Sequence, residues 1–225
     1  GKLDISKKAL SKTGKGLKIF PGLPGAFSEL RNFVRTNPDL KRARVNLEFY
    51  IISGGFEEMI HATKIADEMD GIFGCNFAYD KSGEAIGIKS AISFTEKTRY
   101  VHAIRKGVDA KEIRTNPYVI NDAISIDQQR IPFSNMIYIG DGPSDIPCLS
   151  AVSSGGGTGI GVSAPYGTFK KGYELARGKR ITVGPYTANY KKGSDMRKVL
   201  EETILRIGLE IETAHRKNII HAPGH

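Results

Sequence analysis

The segment MIYIGDGPSDIP, residues 136–147, constrains this chain more than any other. NMIYIG reads as a short buried strand, glycine and carboxylate follow at once, and Pro147 marks the opening of a helix. The same alternation recurs along the chain. VNLEFYIIS (45–53) reads as a strand and runs into the helical pattern GGFEEMIHATKIADEMDG, which Gly71 terminates. IFGCNFAYDKSGEAIGIKSAISF reads as strand, turn and strand, with DKSG as the turn. TEKTRYVHAIRKG is a short helix with Thr95 as N-cap and Gly107 past its end. After a weakly patterned connector (108–134) and the 136–147 unit come a strand within SSGGGTGIGV, a helix FKKGYELARG, a strand RITVG and a long amphipathic helix, SDMRKVLEETILRIGLEI. Strands alternating with helices predict an α/β, Rossmann-like fold: a largely parallel sheet with helices on both faces.

Residues 1–18 are lysine-rich and read as a linker, residues 19–214 as the core domain, and residues 215–225 as a loose tail. A helix is expected to open within IFPGLPGAF with Pro24 in its first turn, and Leu23, Ala26, Phe27, Leu30, Phe33 and Val34 at helical spacing. There are 33 lysines and arginines against 24 acids, a net charge of +9, which favours anionic partners. No aromatic-rich basic stripe and no zinc-finger spacing is seen, so the excess reads as a solvated surface and a dedicated nucleic-acid face is disfavoured. Cys75 and Cys148 are far apart and read as small buried residues of a reducing compartment, which with the absence of a secretory signal points to the cytoplasm. No apolar run reaches membrane-spanning length. GIGVSA (159–164) fits G-x-G-x-x-A formally but lies in a strand, so dinucleotide binding is not expected. His61 and His102 read as structural, and His215, His221 and His225 as part of the polar tail.

In an open parallel sheet, ligands sit at the carboxyl ends of the strands. That rule selects Ser53, Asp141, Asp145 at the start of the following helix, and Lys97 at the start of its own. Asp141 and Asp145 are hard oxygen ligands across a tight turn and suit Mg²⁺, which accepts one or two carboxylates and keeps waters and phosphate oxygens. Gly140 and Gly142 are expected to let the backbone turn sharply there. Ser53 can donate its hydroxyl, and Gly54 its backbone N–H at the start of the next helix, to a phosphate oxygen. Lys97 opposes its helix dipole, a local cost that a bound phosphate or a neighbouring carboxylate would reverse. Taken singly, Asp145 is an N-cap, Asp141 a turn residue, Ser53 a loop serine and Lys97 a solvated lysine; taken together and in this order they make a site.

These residues resemble the haloacid dehalogenase superfamily of hydrolases, in particular its phosphoserine-phosphatase-like branch. YIISGG looks like the second motif of that family, with Ser53 at its end. TEKTRYVHAIRKG looks like the segment of the third-motif lysine, Lys97. MIYIGDGPSDIP looks like the fourth motif, GDxxxD, with Asp141 and Asp145. The resemblance implies a Mg²⁺-dependent phosphatase acting on a small phosphomonoester through an aspartyl-phosphate. Asp141 and Asp145 would hold the metal, Ser53 and Gly54 the phosphoryl oxygens, and Lys97 the phosphate and the nucleophile.

The first motif of that family, an apolar strand followed by D-x-D, does not occur in the chain; Asp4, Asp67 and Asp70 lack its context. In the family that strand is central, between those carrying the second and fourth motifs. Its loss would leave two sheet edges unpaired, at about 1–3 kcal/mol for each buried unsatisfied group. The expectation is therefore that the nucleophile and its strand belong to an N-terminal part outside these residues, residues 1–18 being a remnant of a cap. A non-catalytic phospholigand-binding or regulatory module is the alternative, and a basic nucleic-acid-binding protein a third reading. Substrate identity and oligomeric state stay open.

Overall fold

Six strands and nine α-helices are arranged around two small sheets in a computed structural model that describes residues 4–125, 128–167 and 169–220. The first sheet holds β1 (Tyr50–Phe56), β2 (Gly71–Tyr79) and β3 (Ala85–Ser90) in that order, β1 and β2 parallel and β2 and β3 antiparallel. The second holds β4 (Ile137–Gly140), β5 (Thr158–Ser163) and β6 (Val183–Thr187), all parallel. The class is α/β, as the alternation predicts.

The sequence GIGV explains how β5 carries helices on both sides. Successive side chains of a strand point to opposite faces. Ile160 and Val162 are buried in the main core with Leu30 and Val34 of α2 (Gly25–Thr36), Leu40 of α3 (Pro38–Arg42) and Met196, Leu200 and Ile204 of α9 (Asp195–Ile220). On the other face the glycines let α7 (Ile146–Ser154) and α8 (Lys170–Arg177) approach closely. A Cβ on Gly159 would lie 2.8 Å from Ser153 Oγ, and one on Gly161 would lie 3.0 Å from Ile181 Cδ1 and 3.8 Å from Leu175 Cδ1. The glycines thus serve helix packing, which accounts for the formal G-x-G-x-x-A match. Gly161→Ala should lower stability by about 1–2 kcal/mol, since Ile181 can yield by a few tenths of an ångström; chemical denaturation reads this directly.

The sequence anticipates one sheet, whereas the described residues form two, with no strand pairing between them. β1 pairs with β2 alone and β4 with β5 alone among the described residues, so each has one unpaired edge. Helices join the two sheets. Val101 of α5 (Glu96–Lys106) and Cys148 and Val152 of α7 form a buried cluster, against which both Ile52 of β1 and Tyr138 of β4 pack.

Several local expectations are corrected. Residues 1–18 contain a helix, α1 (Lys7–Lys15), where a linker is expected. Ser6 Oγ caps it by accepting from the Ala9 N–H at 3.2 Å. It packs on α4 (Glu57–His61) through Gly14, whose missing side chain admits the Met59 backbone. At the other end α9 continues to Ile220, so residues 215–220 are helical, not loose; His221 and His225 lie outside the described residues. β1 begins at Tyr50, not at 45, because Phe49 N–H donates to Asp70 Oδ2 at 2.7 Å and Glu48 pairs with Arg130 and Tyr50. The helix expected after it is only α4 plus a single 3₁₀ turn at Ala66–Glu68. Thr63 Oγ1 donates to the Ile60 carbonyl at 2.6 Å just where a longer helix would continue. Thr95 precedes α5 but makes no side-chain cap; Glu96 instead accepts from the Ser93 N–H at 3.2 Å. The connector holds α6 (Ala110–Thr115), with Asp109 accepting from the Lys111 and Glu112 N–H groups at 2.8 Å.

Candidate functional site

The carboxyl end of β4 is where the predicted residues converge. Tyr138 and Gly140 lie two apart on this strand and so share one face, the face on which α7 packs. At Gly140 an added Cβ would lie 2.5 Å from Asp145 Cβ and 2.9 Å from its Cγ. The absent side chain is what lets Asp145 fold back over the strand end. Once there, its carboxylate accepts three hydrogen bonds. Oδ1 accepts from Lys97 Nζ at 2.8 Å and from the Tyr138 hydroxyl at 3.0 Å, and Oδ2 accepts from the Asp141 N–H at 3.1 Å.

This ion pair is buried: Lys97 is 8% and Asp145 6% exposed. A cation in the first turn of α5 and an anion at the start of α7 are thereby joined across the two helices that link the sheets. Lys97 Nζ also donates to Ser144 Oγ at 3.3 Å. An ammonium has three N–H donors, so one remains for a ligand oxygen. Burial, followed by the neighbouring Asp145 carboxylate, pushes the Tyr138 phenol up, and it stays a protonated donor at any ordinary pH. Burial likewise pushes the Cys148 thiol up, consistent with the inert, fully buried role the sequence suggests.

Asp145 is therefore more than a plain N-cap. It sits at the N-cap position of α7 but makes no side-chain bond to that helix. The two acids expected to share a metal have different surroundings: Asp145 is buried and bonded to Lys97 and the Asp141 N–H, and Asp141 is exposed. Among the described residues the Asp141 carboxylate has no hydrogen bond or ion pair. Its neighbour across the sheet rim is Tyr190, whose phenol is pushed up to about 12 by burial and then by the Asp141 charge. The two glycines of GDG also differ. Gly140 is required by the close approach of Asp145, whereas Gly142 has an extended φ of −167° and open space where a Cβ would go.

Ser53 and Gly54 are placed differently from expectation. β1 does not end at Ser53 but runs on to Phe56 through an irregularity between Ile52 and Phe56. Gly54 therefore lies inside the strand and not at the start of α4, and the expected helix-start N–H is not there. Ser53 Oγ accepts from the Gly55 N–H at 2.9 Å, which leaves its own O–H free to donate. Neither residue is hydrogen-bonded to Lys97, Asp141 or Asp145. They approach the start of α5 indirectly: Cys75 Sγ donates to the Gly54 carbonyl at 3.3 Å and accepts from the Ile92 N–H at 3.2 Å. The Ser93 carbonyl then accepts from Lys97 N–H at 3.3 Å. Lys97, Asp141 and Asp145 are thus joined by hydrogen bonds through Asp145, and Ser53 and Gly54 make no direct bond to them.

Tyr138 and Ser144 complete the cluster and were not anticipated. Tyr138 could have been found by counting two residues back from Gly140; Ser144 carries no signal beyond its place beside Asp145.

No group of three or more His, Cys, Asp or Glu side chains poised for a metal occurs among the described residues. One exposed carboxylate, Asp141, beside a lysine with a spare N–H, still suits Mg²⁺, whose remaining positions are filled by water and phosphate oxygens. In that arrangement Asp141 would be the direct ligand and Asp145 its support.

No family model matches the chain. It is similar to a protein of Borreliella burgdorferi described only as uncharacterized, 27% identical over 164 residues. The match covers 67% of this chain and 54% of that protein, so the chain spans little more than half the length of its relative.

Proposed function

We propose that these residues form the phosphoryl-site core of a Mg²⁺-dependent phosphatase of the haloacid dehalogenase type, acting on a small phosphomonoester. The observation that carries this reading is the buried Lys97–Asp145 pair at 2.8 Å beside the exposed Asp141 carboxylate, at the carboxyl end of a parallel strand. Lys97 keeps one N–H for a phosphoryl oxygen, and its charge is held in place by an acid that cannot turn away. Asp141 would hold Mg²⁺, which when bound offsets the negative charge of the phosphoryl group. Ser53, within β1, keeps a hydroxyl donor. Positioning and charge stabilisation of this kind supply most of the catalysis in phosphoryl transfer.

The reaction also needs a nucleophilic carboxylate, and no D-x-D occurs in the 225 residues. The reading places it on a strand supplied from outside them, between β1 and β4. The unpaired edges of those strands, whose side chains Ile52 and Tyr138 pack on the same Val101–Cys148–Val152 cluster, support that placement.

Titration calorimetry with Mg²⁺ alone and with orthophosphate tests the site. Asp141→Asn should weaken Mg²⁺ binding by about tenfold or more and leave the unfolding midpoint unchanged. Lys97→Gln should weaken phosphate binding. If Asp141→Asn leaves Mg²⁺ affinity untouched, the metal assignment is wrong. A second reading, a phospholigand-binding module without catalysis, is favoured by the absence of D-x-D. Metal-dependent hydrolysis of an aryl phosphate by the protein would exclude it.

A further inference from the structure

The loops that leave the carboxyl ends of β5 and β6 carry rings and lysines that the fold does not use. Tyr166 is 95% exposed, Phe169 54% and Tyr173 57%. Phe169 and Tyr173 stand four residues apart at the start of α8, so their side chains share one helix face. The other face is committed to the sheet: Leu175 is buried, and a Cβ on Gly172 would lie 2.5 Å from Ser163 Oγ and 2.8 Å from Pro185 Cβ. Docking α8 through Gly172 and Leu175 therefore turns both rings to solvent.

Charge accompanies them. Lys170 and Lys171 open α8, and Lys191 and Lys192 lie in the loop after β6; all four are exposed and none is ion-paired among the described residues. Residues 164–177 contain one acid, Glu174, and residues 188–194 contain none. Both loops border the candidate site. β4, β5 and β6 are parallel, with Gly140 opposite Gly161 and Ser163 opposite Thr187, so the chain leaves all three strands on the side of Asp141. Tyr190, in the second loop, already feels the Asp141 charge.

We infer that this rim holds the base of a nucleoside monophosphate whose phosphate lies at Asp141 and Lys97, the base stacking on Tyr166 or on the Phe169–Tyr173 pair. Rings that do not pack inward offer flat apolar faces, which suit a flat aromatic ligand, and the unpaired lysines around them give the rim a positive field that favours an anionic ligand. A phosphomonoester without a ring would leave the aromatic rim unused. The inference rests on the phosphoryl-site reading and narrows it to one substrate class.

The test is calorimetric binding of AMP, ribose 5-phosphate, adenosine and a 5′-phosphorylated oligothymidylate to the protein and to Tyr166→Ala/Phe169→Ala/Tyr173→Ala. All three positions are exposed, so an unchanged unfolding midpoint certifies the variant; Tyr173→Ala alone serves if it shifts. AMP should bind about 5- to 150-fold tighter than ribose 5-phosphate, the gain of one stacking contact, and the variant should lose that margin while keeping its affinity for ribose 5-phosphate. Equal binding of AMP and ribose 5-phosphate, or a margin that survives in the variant, overturns the inference. Adenosine binding that the variant abolishes, with no phosphate ligand bound, keeps the aromatic rim and removes the phosphoryl site instead. An oligonucleotide that binds far tighter than AMP with steep salt dependence overturns the mononucleotide in favour of single-stranded nucleic acid.

Discussion

Lys97→Met should destabilise the protein by about 3–5 kcal/mol, a large part of the roughly 5–15 kcal/mol that holds a domain of this kind together. The methionine nearly matches the lysine in volume, so the loss is electrostatic. It leaves the Asp145 carboxylate buried with only two neutral donors, the Tyr138 hydroxyl and the Asp141 N–H. A buried ion pair often contributes little net stability, because each charge has been stripped of water; removing one partner is costly because the other remains uncompensated. The double variant Lys97→Met/Asp145→Asn should therefore recover much of the loss. The substituted amide is neutral, and its carbonyl oxygen could still accept from one of the same donors. Urea unfolding of the four proteins gives the coupling, expected at about 2–3 kcal/mol in the sense that the double variant is more stable than the sum of the singles. Losses that add to within about 0.5 kcal/mol would show that the pair is not coupled in solution, and the proposed phosphoryl site would lose its anchor.

Which parts of this arrangement were legible in the sequence follows from how local each one is. The strand–turn–helix unit around Asp141 announces itself, since an apolar run, two glycines, two acids and two prolines act within twelve residues. Lys97 was legible because it breaks a local rule, and the structure supplies the compensating partner that such a break demands. The different burial and bonding of the two acids was not legible. It depends on Lys97, 48 residues away in sequence, and on Tyr138, which looks like one more apolar strand residue. Ser53 and Gly54 were misplaced because the strand persists through glycines, and a ladder irregularity leaves no mark in composition. α1 was missed because its apolar face is narrow: Leu10 and Gly14 alone are buried, and a glycine reads as a break when it is in fact a point of close approach. The split into two sheets is a statement about which strands do not pair, and hydrophobic pattern reports burial, not pairing.

The two glycines of GDG allow a test in which nearly identical substitutions have opposite outcomes. At residue 140 an alanine Cβ would lie 2.5 Å from Asp145 Cβ, a contact that real side chains do not sustain. Asp145 would have to move, and moving it strains the bonds to Lys97, Tyr138 and the Asp141 N–H together. Gly140→Ala should cost about 1–3 kcal/mol, and more if Lys97 is left uncompensated. At residue 142 the φ of −167° is open to any residue and nothing lies within 4 Å of the added Cβ, so Gly142→Ala should be neutral to within about 0.5 kcal/mol. Were the glycines present for chain flexibility in the turn, both substitutions would be damaging and similar in size. The steric account adds a further requirement. In an Asp145→Gly background, which removes the Cβ that collides, Gly140→Ala should cost little more than Gly142→Ala does in the parent protein. A full penalty for Gly140→Ala in that background would mean that Asp145 is not what the glycine accommodates, and that the carboxylate reaches Lys97 by some other route.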